Sequence, residues 1–533
     1  MLIGVSMDKI FVTGAVELNQ VLNFEMTAEM NEHAILKLEG LMNNITDESH
    51  SDLIGKKMSL ICEEEGVNIP VFTGIIQETR LVFKGEECYI KLKCISSSYE
   101  FDQNKKCYFY QNKHMTYRQM LDLVSGKGRN ILFTCGSGLE LNTPLLQYEE
   151  TDWEFCKRIA SQFGSVVIPE ITGEYPQISV GVIGGKQYQL EDTNNYKCQM
   201  EWGEYRKKRL LFQCNPEDFC IYTVSGSLNY MLGDKVWFKD SKKIVISKHV
   251  SFKNGLIQVE YKLSSEAVAG MKPFYNHRIC GLCLGGTVKW TSKEKIKVKL
   301  DLDQNKNPLD EELFAFEYVP ISGNIMYAMP EKGTKVQLYF SNEKENSGIV
   351  IGSVNEKIDY PEASVKTFQT KEGKRLDIQS AQMELTSEVS QISMALSDQL
   401  GINLFSQKNI FINANDGIKI RTGGNVTMDT PLGYHFENKK SGDCIDLSGN
   451  EMRMTTEKAV ISGLPHKLGH KPEQECKDFG ISNSYQYATN IMAGIPQGIA
   501  DSAVSSAILG GLPSFQNPSK EHQVSDLIFL GRN

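Results

Sequence analysis

Several groups of residues in this sequence have types and spacings that could support chemistry, and the first is similar to a calcium-binding loop. Four oxygen-bearing residues occupy positions 1, 3, 5 and 12 of such a loop, namely Asp301, Asp303, Asn305 and Glu312. Lys306 stands where the sharp turn of that loop requires glycine, and the flanking segments have the pattern of strands instead of helices. We therefore expect an acidic loop between strands and no calcium site.

A second group is the pair Cys280 and Cys283, which has the CxxC spacing and follows His277. A structural zinc site requires four ligands, and no second pair lies nearby in the sequence. We expect a buried, inert pair of thiols. No Ser/His/Asp set and no glycine-rich phosphate loop stands out, so the sequence predicts no catalytic residue and no cofactor.

A third group is the run of alternating lysines from Lys293 to Lys299, which could indicate a nucleic-acid-binding strand. Residues 278–356 contain ten Lys and Arg against eleven Asp and Glu, and no aromatic platform for stacking bases is evident. The whole chain has a net charge of -9, which opposes binding by phosphate neutralisation. We expect a solvated strand face and no nucleic-acid partner.

The 533 residues are too many for one core and predict three or four folded units. Thirteen cysteines without an N-terminal signal sequence indicate reduced thiols and synthesis in the cytoplasm. No apolar stretch reaches the ~18 residues that a membrane-spanning helix needs. A protein of this kind that acts outside the cell must be exported by a machine.

The elements that position these residues are mainly strands. Residues 1–275 read as mixed α/β with short alternating strands, such as 88–94, and with helices predicted over 116–125 and 151–162. Residues 276–355 have the all-β pattern of a small barrel, and 356–372 are a polar linker.

The next segment contains a repeat of eight residues, the octads. Its apolar residues form six pairs, each eight residues after the last: Met394/Leu396, Ile402/Leu404, Ile410/Ile412, Ile418/Ile420, Val426/Met428 and Tyr434/Phe436. Glycine or asparagine, which tolerate positive φ, stands before five of the pairs and predicts corners at Gly401, Asn409, Gly417, Asn425 and Gly433. A short strand and a corner at fixed period are typical of a β-solenoid.

An octad is too short to enclose a core within one chain. A strand of about five residues spans roughly 17 Å, so a single chain would leave its apolar pairs exposed. Three chains wound together, each forming one face of a triangular prism, would bury the pairs along a central axis. The repeat therefore predicts a homotrimeric β-helix over 373–463, less regular after Phe436, with an irregular tail over 464–533.

Stretches of the sequence resemble one family in its usual order. LLQYEETDWEFCKRIASQFG at 145–164, FTGIIQETRLVF at 72–83 and FYQNKHMTYRQMLDLV at 109–124 are similar to the hub domain of VgrG and phage late-control D proteins. GLCLGGTV at 281–288, YAMPEKGTKVQLYF at 327–340 and SGIVIGSVN at 347–355 resemble the oligonucleotide/oligosaccharide-binding-type (OB-type) barrel of the spike. The octads resemble its intertwined β-helix.

This resemblance implies the hub and spike of a contractile injection machine. The expected architecture is a homotrimeric hub of two related barrels per chain over 1–275, an OB-type barrel and a β-helix needle. The hub would dock on a hexameric tail tube among baseplate proteins, and contraction would drive the needle through a target envelope. The lysozyme domain of the long phage version has no room in the linker, so we expect no enzymatic activity. The class of machine stays open between type VI secretion, an extracellular injection particle, a tailocin and a phage tail.

The tail also contains candidate metal ligands, His466, His470 and Cys476. They lie just past the β-helix, where three chains would converge, and the PAAR tip proteins that cap such spikes bind metal through His and Cys. We expect a solvated tail that binds a tip protein or effector, and assign no metal. Two alternative functions are a β-solenoid carbohydrate-active enzyme, which would need a cleft with paired carboxylates, and an OB-type nucleic-acid-binding protein, which the charge opposes.

Overall fold

The computed structural model describes residues 10–42, 51–64, 66–85, 87–136, 138–190, 195–302, 309–320, 328–354, 364–387 and 390–457. Among the described residues, 49% lie in strands and 13% in helices, which confirms the mainly-β class expected from the sequence. The chain divides into two units, Met1–Lys357 and Ile358–Asn533. The domain boundaries expected from the sequence stay predictions.

The first unit begins with six strands of one antiparallel sheet. Their alternating apolar residues pack into a core that includes Phe24, Leu36 and Phe72. In the last of the six, the residues from Cys88 to Cys94 alternate between buried and outward-facing positions, as the sequence pattern predicts. The strands are β1 Ile10–Gly14, β2 Gln20–Glu29, β3 Ile35–Met42, β4 Lys57–Glu64, β5 Val67–Lys84 and β6 Glu87–Ser96.

Six later strands join the same sheet through the antiparallel pairing of β2 with β16, in which Met26 lies opposite Val250. These strands are β12 Gln187–Gln189, β13 Tyr196–Met200, β14 Cys220–Ser225, β15 Lys235–Phe238, β16 Ser241–Lys253 and β17 Leu256–Ser264. The sequence predicts two hub barrels. Among the described residues their strands form one continuous twelve-stranded sheet, because Phe24–Glu29 of β2 pairs with Ser247–Phe252 of β16.

Helices and short strands form a second core. Thr116 and Thr151 each cap a helix through a reciprocal capping box, and the buried faces of the two helices share this core. Both helices were predicted from the sequence. The elements of this core are β7 Lys106–Tyr110, α1 Tyr117–Ser125, β8 Asn130–Phe133, β9 Leu145–Glu150, α2 Asp152–Gln162, β10 Val167–Pro169 and β11 Gln177–Val180. Two further helices of the first unit are α3 Trp202–Phe212 and α4 Glu266–Ala269.

Five strands close into the small barrel predicted from the sequence, in the order β18-β19-β20-β22-β21. They are β18 Cys283–Ser292, β19 Lys295–Leu300, β20 Phe316–Val319, β21 Lys335–Phe340 and β22 Gly348–Val354. The expectation of a buried Cys280/Cys283 pair is wrong, since both thiols are exposed. Alternation along β18 directs Leu284 inward and therefore Cys283 outward. The centre of the calcium-like loop, 303–308, lies outside the described residues.

The barrel is joined to the rest of the first unit by apolar packing and by a buried ion cluster. Phe109 of β7 stacks on Phe316 in the barrel core, and their ring centroids are 6.3 Å apart, within the range of about 4.5–7 Å that aromatic pairs favour. Arg158 of α2 donates two hydrogen bonds to Glu150, at 2.9 and 2.8 Å, and one of 2.6 Å to Glu345 of the barrel. All three side chains are buried, so the barrel and α2 share one desolvated charge cluster.

The second unit is built from two antiparallel sheets. The first contains β23 Lys366–Gln369, β24 Lys374–Ile378, β25 Gln382–Ser387, β26 Ile392–Ser397 and β27 Gly401–Ser406, paired in sequence order. The second contains β28 Tyr434–Asn438, β29 Asp443–Ser448 and β30 Glu451–Thr455. Across the described parts of both units, no helix is long and apolar enough to span a membrane.

Candidate assembly face of the octad segment

The five-stranded sheet of the second unit presents one apolar face. Its strand register places apolar side chains opposite one another in two rows that run across the strands. One row passes through Phe368, Leu376, Leu385, Met394 and Leu404, and the other through Ile378, Met383, Leu396 and Ile402. Side chains directly opposite on neighbouring strands are in contact range, so each row is a continuous apolar ridge.

No apolar side chain is buried among the described residues of the second unit, 364–387 and 390–457. Of the twelve predicted core residues, Leu396 and Tyr434 are half-buried. The other ten have 38–70% of their surface exposed: Met394, Ile402, Leu404, Ile410, Ile412, Ile418, Ile420, Val426, Met428 and Phe436. An apolar face of this length is far beyond the scattered apolar residues of an ordinary surface and indicates an interaction site.

The octads between the two sheets are extended chain without backbone partners. Within the described part of the chain, residues 407–433 form no backbone–backbone hydrogen bond. Sharp bends interrupt this segment every eight residues, at 407–408, 415–416, 423–424 and 431–432. Extended backbone with free N–H and C=O groups is a template for pairing with another strand.

The backbone angles differ among the predicted corner residues. Gly401, Gly417 and Gly433 have positive φ, of 77°, 146° and 128°. Asn409 and Asn425 do not have positive φ, and the assignment of the five residues as corners of a β-helix stays a prediction. The bends at 407–408 and 423–424 are complete before each asparagine, which therefore begins an extended stretch with ordinary dihedral angles.

The first octads also differ from the predicted solenoid path. Gly401 lies at a hairpin, where Ser397 pairs with Gly401 and the Ser397 hydroxyl accepts hydrogen bonds from the backbone N–H groups of Gln399 and Leu400. The strands on either side are therefore antiparallel neighbours within one chain, with Leu396 opposite Ile402. The turn reverses the chain because its polar side chain satisfies the turn's backbone donors.

The three-stranded sheet of β28, β29 and β30 also has two apolar rows across its strands, and some of their residues do not follow the eight-residue period. Phe436, Ile445 and Met454 form one cross-strand row, and Tyr434, Leu447 and Met452 form the other. Ile445 comes nine residues after Phe436, so the eight-residue period does not identify it. Likewise the upstream residues from Phe368 to Leu385 carry no fixed period, and only the strand register reveals their place on the apolar face.

The opposite face of the five-stranded sheet is polar. Asp377 is buried there and receives an ion pair of 2.6 Å from Arg375, while Glu384 lies directly across the strands from Asp377. Burial, followed by repulsion from Asp377, raises the pKa of Glu384 above its ordinary value. The sheet thus has one charged and hydrogen-bonded face and one apolar face, which is the pattern of a sheet with a single buried side.

The tail residues His466, His470 and Cys476 lie outside the described residues, as do all residues after Glu457. Among the residues that the structure describes, no group of three or more His, Cys, Asp or Glu side chains could hold a metal ion.

No protein-family model matches the sequence. No curated protein matches it either.

Solved structures give matches at low identity. The Escherichia coli c3393 protein, described as a type VI secretion component with structural similarity to phage T4 tail proteins gp27 and gp5, is 13% identical, covers 65% of this chain and 100% of its own, and has a TM-score of 0.46. The Francisella PdpA-VgrG complex in its half-lidded form matches at 9% identity, 76% and 89% coverage, and a TM-score of 0.49.

A third match is the 43 kDa tail protein of prophage MuSo2 from Shewanella oneidensis, with 13% identity, 49% and 99% coverage, and a TM-score of 0.38. The solved structures similar to this chain therefore include VgrG-like type VI secretion proteins and phage tail proteins.

Proposed function

We propose that this chain is a VgrG-like hub-spike protein that forms a homotrimer at the tip of a contractile injection machine. In this proposal the first unit docks on a hexameric tail tube among baseplate proteins, and the octad segment forms the needle that pierces a target envelope. The tail over 464–533 binds a PAAR-like tip protein or an effector. The protein acts mechanically and catalyses no reaction.

The observation that carries the proposal is the incompleteness of the second unit as a single chain. Its described residues have no buried apolar side chain, and residues 407–433 have no backbone partner among them. Fully burying one large aliphatic side chain contributes about 2 kcal/mol, so the twelve octad residues correspond to roughly 20 kcal/mol per chain. Association costs about 4–15 kcal/mol in lost translational and rotational freedom, which this burial exceeds.

A three-fold assembly can both bury the apolar residues and pair the free backbone groups. Each chain offers one apolar face and one polar face, so three chains can enclose a shared core while keeping their charged faces in water. Extended segments of neighbouring chains can also pair their free N–H and C=O groups. A period of eight residues is short. It favours a narrow trimer, in which each chain forms one face, over a wider solenoid that one chain closes by itself.

The joint between α2 and the barrel supports a mechanical role for the first unit. The buried cluster of Arg158, Glu150 and Glu345 and the stacked Phe109 and Phe316 connect the barrel directly to α2 and β7. A connection through shared core and buried ions resists relative motion, as a part that transmits axial force requires.

Mass measurement of the purified chain tests the trimer directly. Replacing Ile402, Ile410 and Ile418 by Asp places three charges per chain in the predicted core, where unpaired charge is severely unfavourable. We expect native mass spectrometry to show trimers for the unaltered chain and none for this variant. A folded monomer at micromolar concentration for the unaltered chain contradicts the proposal.

A matched control uses the residues between the members of each pair. Asn403, Lys419 and Thr427 stand at the middle of their octads, so alternation along the strand directs them away from the apolar face. Replacing these three by Asp adds the same number of carboxylates to the same segment. This control should remain trimeric, and loss of trimers in both variants would show that charge alone disrupts assembly.

A further inference from the structure

Two cysteines of the first unit lie side by side on neighbouring strands, and the spike function uses neither of them. Cys198 lies in β13 and Cys220 in β14, and both are free thiols, the first exposed and the second half-buried. The strand register places Cys198 opposite Tyr222. It places Met200, two residues further along β13, opposite Cys220. The two cysteines are therefore diagonal neighbours on one face of the sheet.

The two thiols form one polar cluster with the hydroxyl of Tyr222. The Cys220 thiol interacts with the Cys198 thiol and with the Tyr222 hydroxyl, and that hydroxyl also interacts with Cys198. The ring of Tyr222 makes an edge contact with Phe238 at a centroid distance of 5.5 Å, which holds it in place. The ammonium group of Lys243 lies 5.7 Å from the centre of the same ring. The cluster thus combines two thiols, a hydroxyl that can donate to a thiolate, and a nearby cation.

The surroundings give the two thiols different roles. Burial raises the pKa of Cys220, and the negative charge of a Cys198 thiolate raises it further. The positive charge of Lys243 acts in the opposite direction with a smaller effect. Cys220 therefore stays protonated while Cys198 is a thiolate, and its S–H can donate to that thiolate. The exposed Cys198 is the nucleophile that reaches a dissolved oxidant first, and Cys220 reacts second.

Strand β13 can move toward β14 because it is held on one side. In the part of the chain that the structure describes, β13 is an edge of the twelve-stranded sheet and pairs only with β14. All five residues of Tyr196–Met200 are exposed. Diagonal Cβ atoms on such a pair lie roughly 6–7 Å apart, whereas a disulfide brings its Cβ atoms to about 4 Å. Closing an S–S bond therefore shifts β13, and the resulting strain makes the bond easy to reduce again.

We propose that Cys198 and Cys220 form a reversible disulfide that locks the edge strand β13 onto β14 when the protein enters an oxidising medium. The oxidant is a low-molecular-weight disulfide such as glutathione disulfide. The Cys198 thiolate attacks one sulfur of this reagent, and the S–S bond of the reagent breaks. One glutathione leaves as a thiolate and takes up the proton that Cys198 has lost, while Cys198 holds the other glutathione as a mixed disulfide.

Cys220 completes the exchange. Its sulfur loses a proton and attacks the Cys198 sulfur of the mixed disulfide, and the second glutathione leaves and takes up that proton. Two protein thiols and one glutathione disulfide thus become one protein disulfide and two glutathione thiols. Two electrons and two protons pass to glutathione, so the exchange is balanced.

The bond would close a loop over 198–220 that contains helix α3. The helix is anchored on its inner side, since Lys208 donates a hydrogen bond of 2.7 Å to the carbonyl of Val268. The disulfide would secure β13, whose unpaired edge is otherwise a template for unwanted strand pairing. Thiols stay reduced in a reducing compartment, so the lock forms only in an oxidising one. This inference goes beyond the proposed spike function and does not depend on it.

Peptide mapping of the full-length chain in buffers of graded glutathione and glutathione disulfide content tests the proposal. We expect the peptides that contain Cys198 and Cys220 to become joined by a disulfide and to separate again in excess reduced glutathione. In a Cys220→Ser variant the second exchange is impossible, so Cys198 should accumulate the mixed disulfide with glutathione. Hydrogen exchange of the β13 amides should slow by about tenfold or more in the oxidised chain, because a cross-link removes open conformations of its loop.

The matched control is Cys280→Ser with Cys283→Ser, which removes two exposed thiols elsewhere in the first unit. This variant should form the same disulfide as the unaltered chain. The proposal is overturned if both thiols stay free in the oxidising buffer, if either pairs mainly with another cysteine such as Cys214, or if Cys198 of the unaltered chain stops at the glutathione adduct. A disulfide that leaves the hydrogen exchange of β13 unchanged would refute the lock.

Discussion

Replacing Arg158 by methionine should be among the most destabilising single changes in the first unit. The guanidinium makes three hydrogen bonds to two buried carboxylates, of Glu150 and Glu345, and a fourth of 2.9 Å to the carbonyl of Leu146. Burial opposes its charge, yet the two carboxylates together raise the pKa of Arg158 above its ordinary value. Methionine retains most of the volume and removes every donor.

The magnitude follows from the charges that remain. Removing one partner of a buried ion pair costs about 3–5 kcal/mol, because the other charge stays buried without compensation. Here two carboxylates lose their shared cation, so we expect the upper part of that range. A change of this size should lower the denaturant midpoint of the first unit clearly, measured by chemical unfolding with tryptophan fluorescence.

Two further variants distinguish charge from packing. Adding Glu150→Gln and Glu345→Gln to Arg158→Met removes the stranded charges and should recover part of the loss, a non-additivity that a pure packing effect would not show. The surface pair Lys332 and Asp310, 2.9 Å apart, is the control, and Asp310→Asn should change stability by less than about 1 kcal/mol. If Arg158→Met costs no more than this control, the cluster does not hold the barrel to α2.

Three other outcomes are expected. Burial lowers the pKa of Lys248 to about 8, so between about pH 8 and 10.5 the folded state binds fewer protons than the unfolded chain. The free energy of unfolding, relative to that of a Lys248→Met variant, should therefore rise with pH across this window. A difference that does not change with pH would contradict this prediction. Deleting residues 464–533 should leave the trimer intact by native mass measurement and abolish binding of a tip protein or effector; failure to trimerise would make the tail part of the fold. The purified protein should not release sugars from peptidoglycan or polysaccharide, and cleavage abolished by one carboxylate substitution would reverse this prediction.

Features written in local sequence could be predicted, and features set by distant contacts could not. The helices that begin after Thr116 and Thr151 were predictable because each capping box needs only four consecutive residues. The barrel strands were predictable from alternation. By contrast, Arg158 forms a hydrogen bond with Glu345, which is 187 positions away in the sequence, and no local pattern predicts that contact. Helix α3 was missed because its inner face rests on Lys208 and Phe212 instead of an apolar stripe.

In the octad segment, too, some features follow from local sequence and others follow only from contacts between strands. The period of eight identified twelve apolar residues, ten exposed and two half-buried, because a fixed period is itself a local signal. It missed Ile445, which strand pairing places opposite Phe436, and it did not separate Asn409 and Asn425 from the three glycines that have positive φ. Glycine and asparagine were chosen because both tolerate positive φ, but only the backbone angles show which of these residues adopt it.

The two units differ in what each can complete within one chain. The first unit has three apolar cores of its own, and its charged cluster at Arg158 is matched by carboxylates from the same chain. The described part of the second unit has no buried apolar side chain and a 27-residue stretch, 407–433, without backbone partners. Hydrophobic burial is the dominant favourable contribution to folding, so in the proposed trimer the first unit can fold before assembly while the second unit gains its stability by assembling. In the proposed spike, the needle therefore folds and reaches its correct number of chains in the same step. An assembly with the wrong number of chains leaves the apolar faces from Met394 to Phe436 exposed, and only the closed trimer buries them.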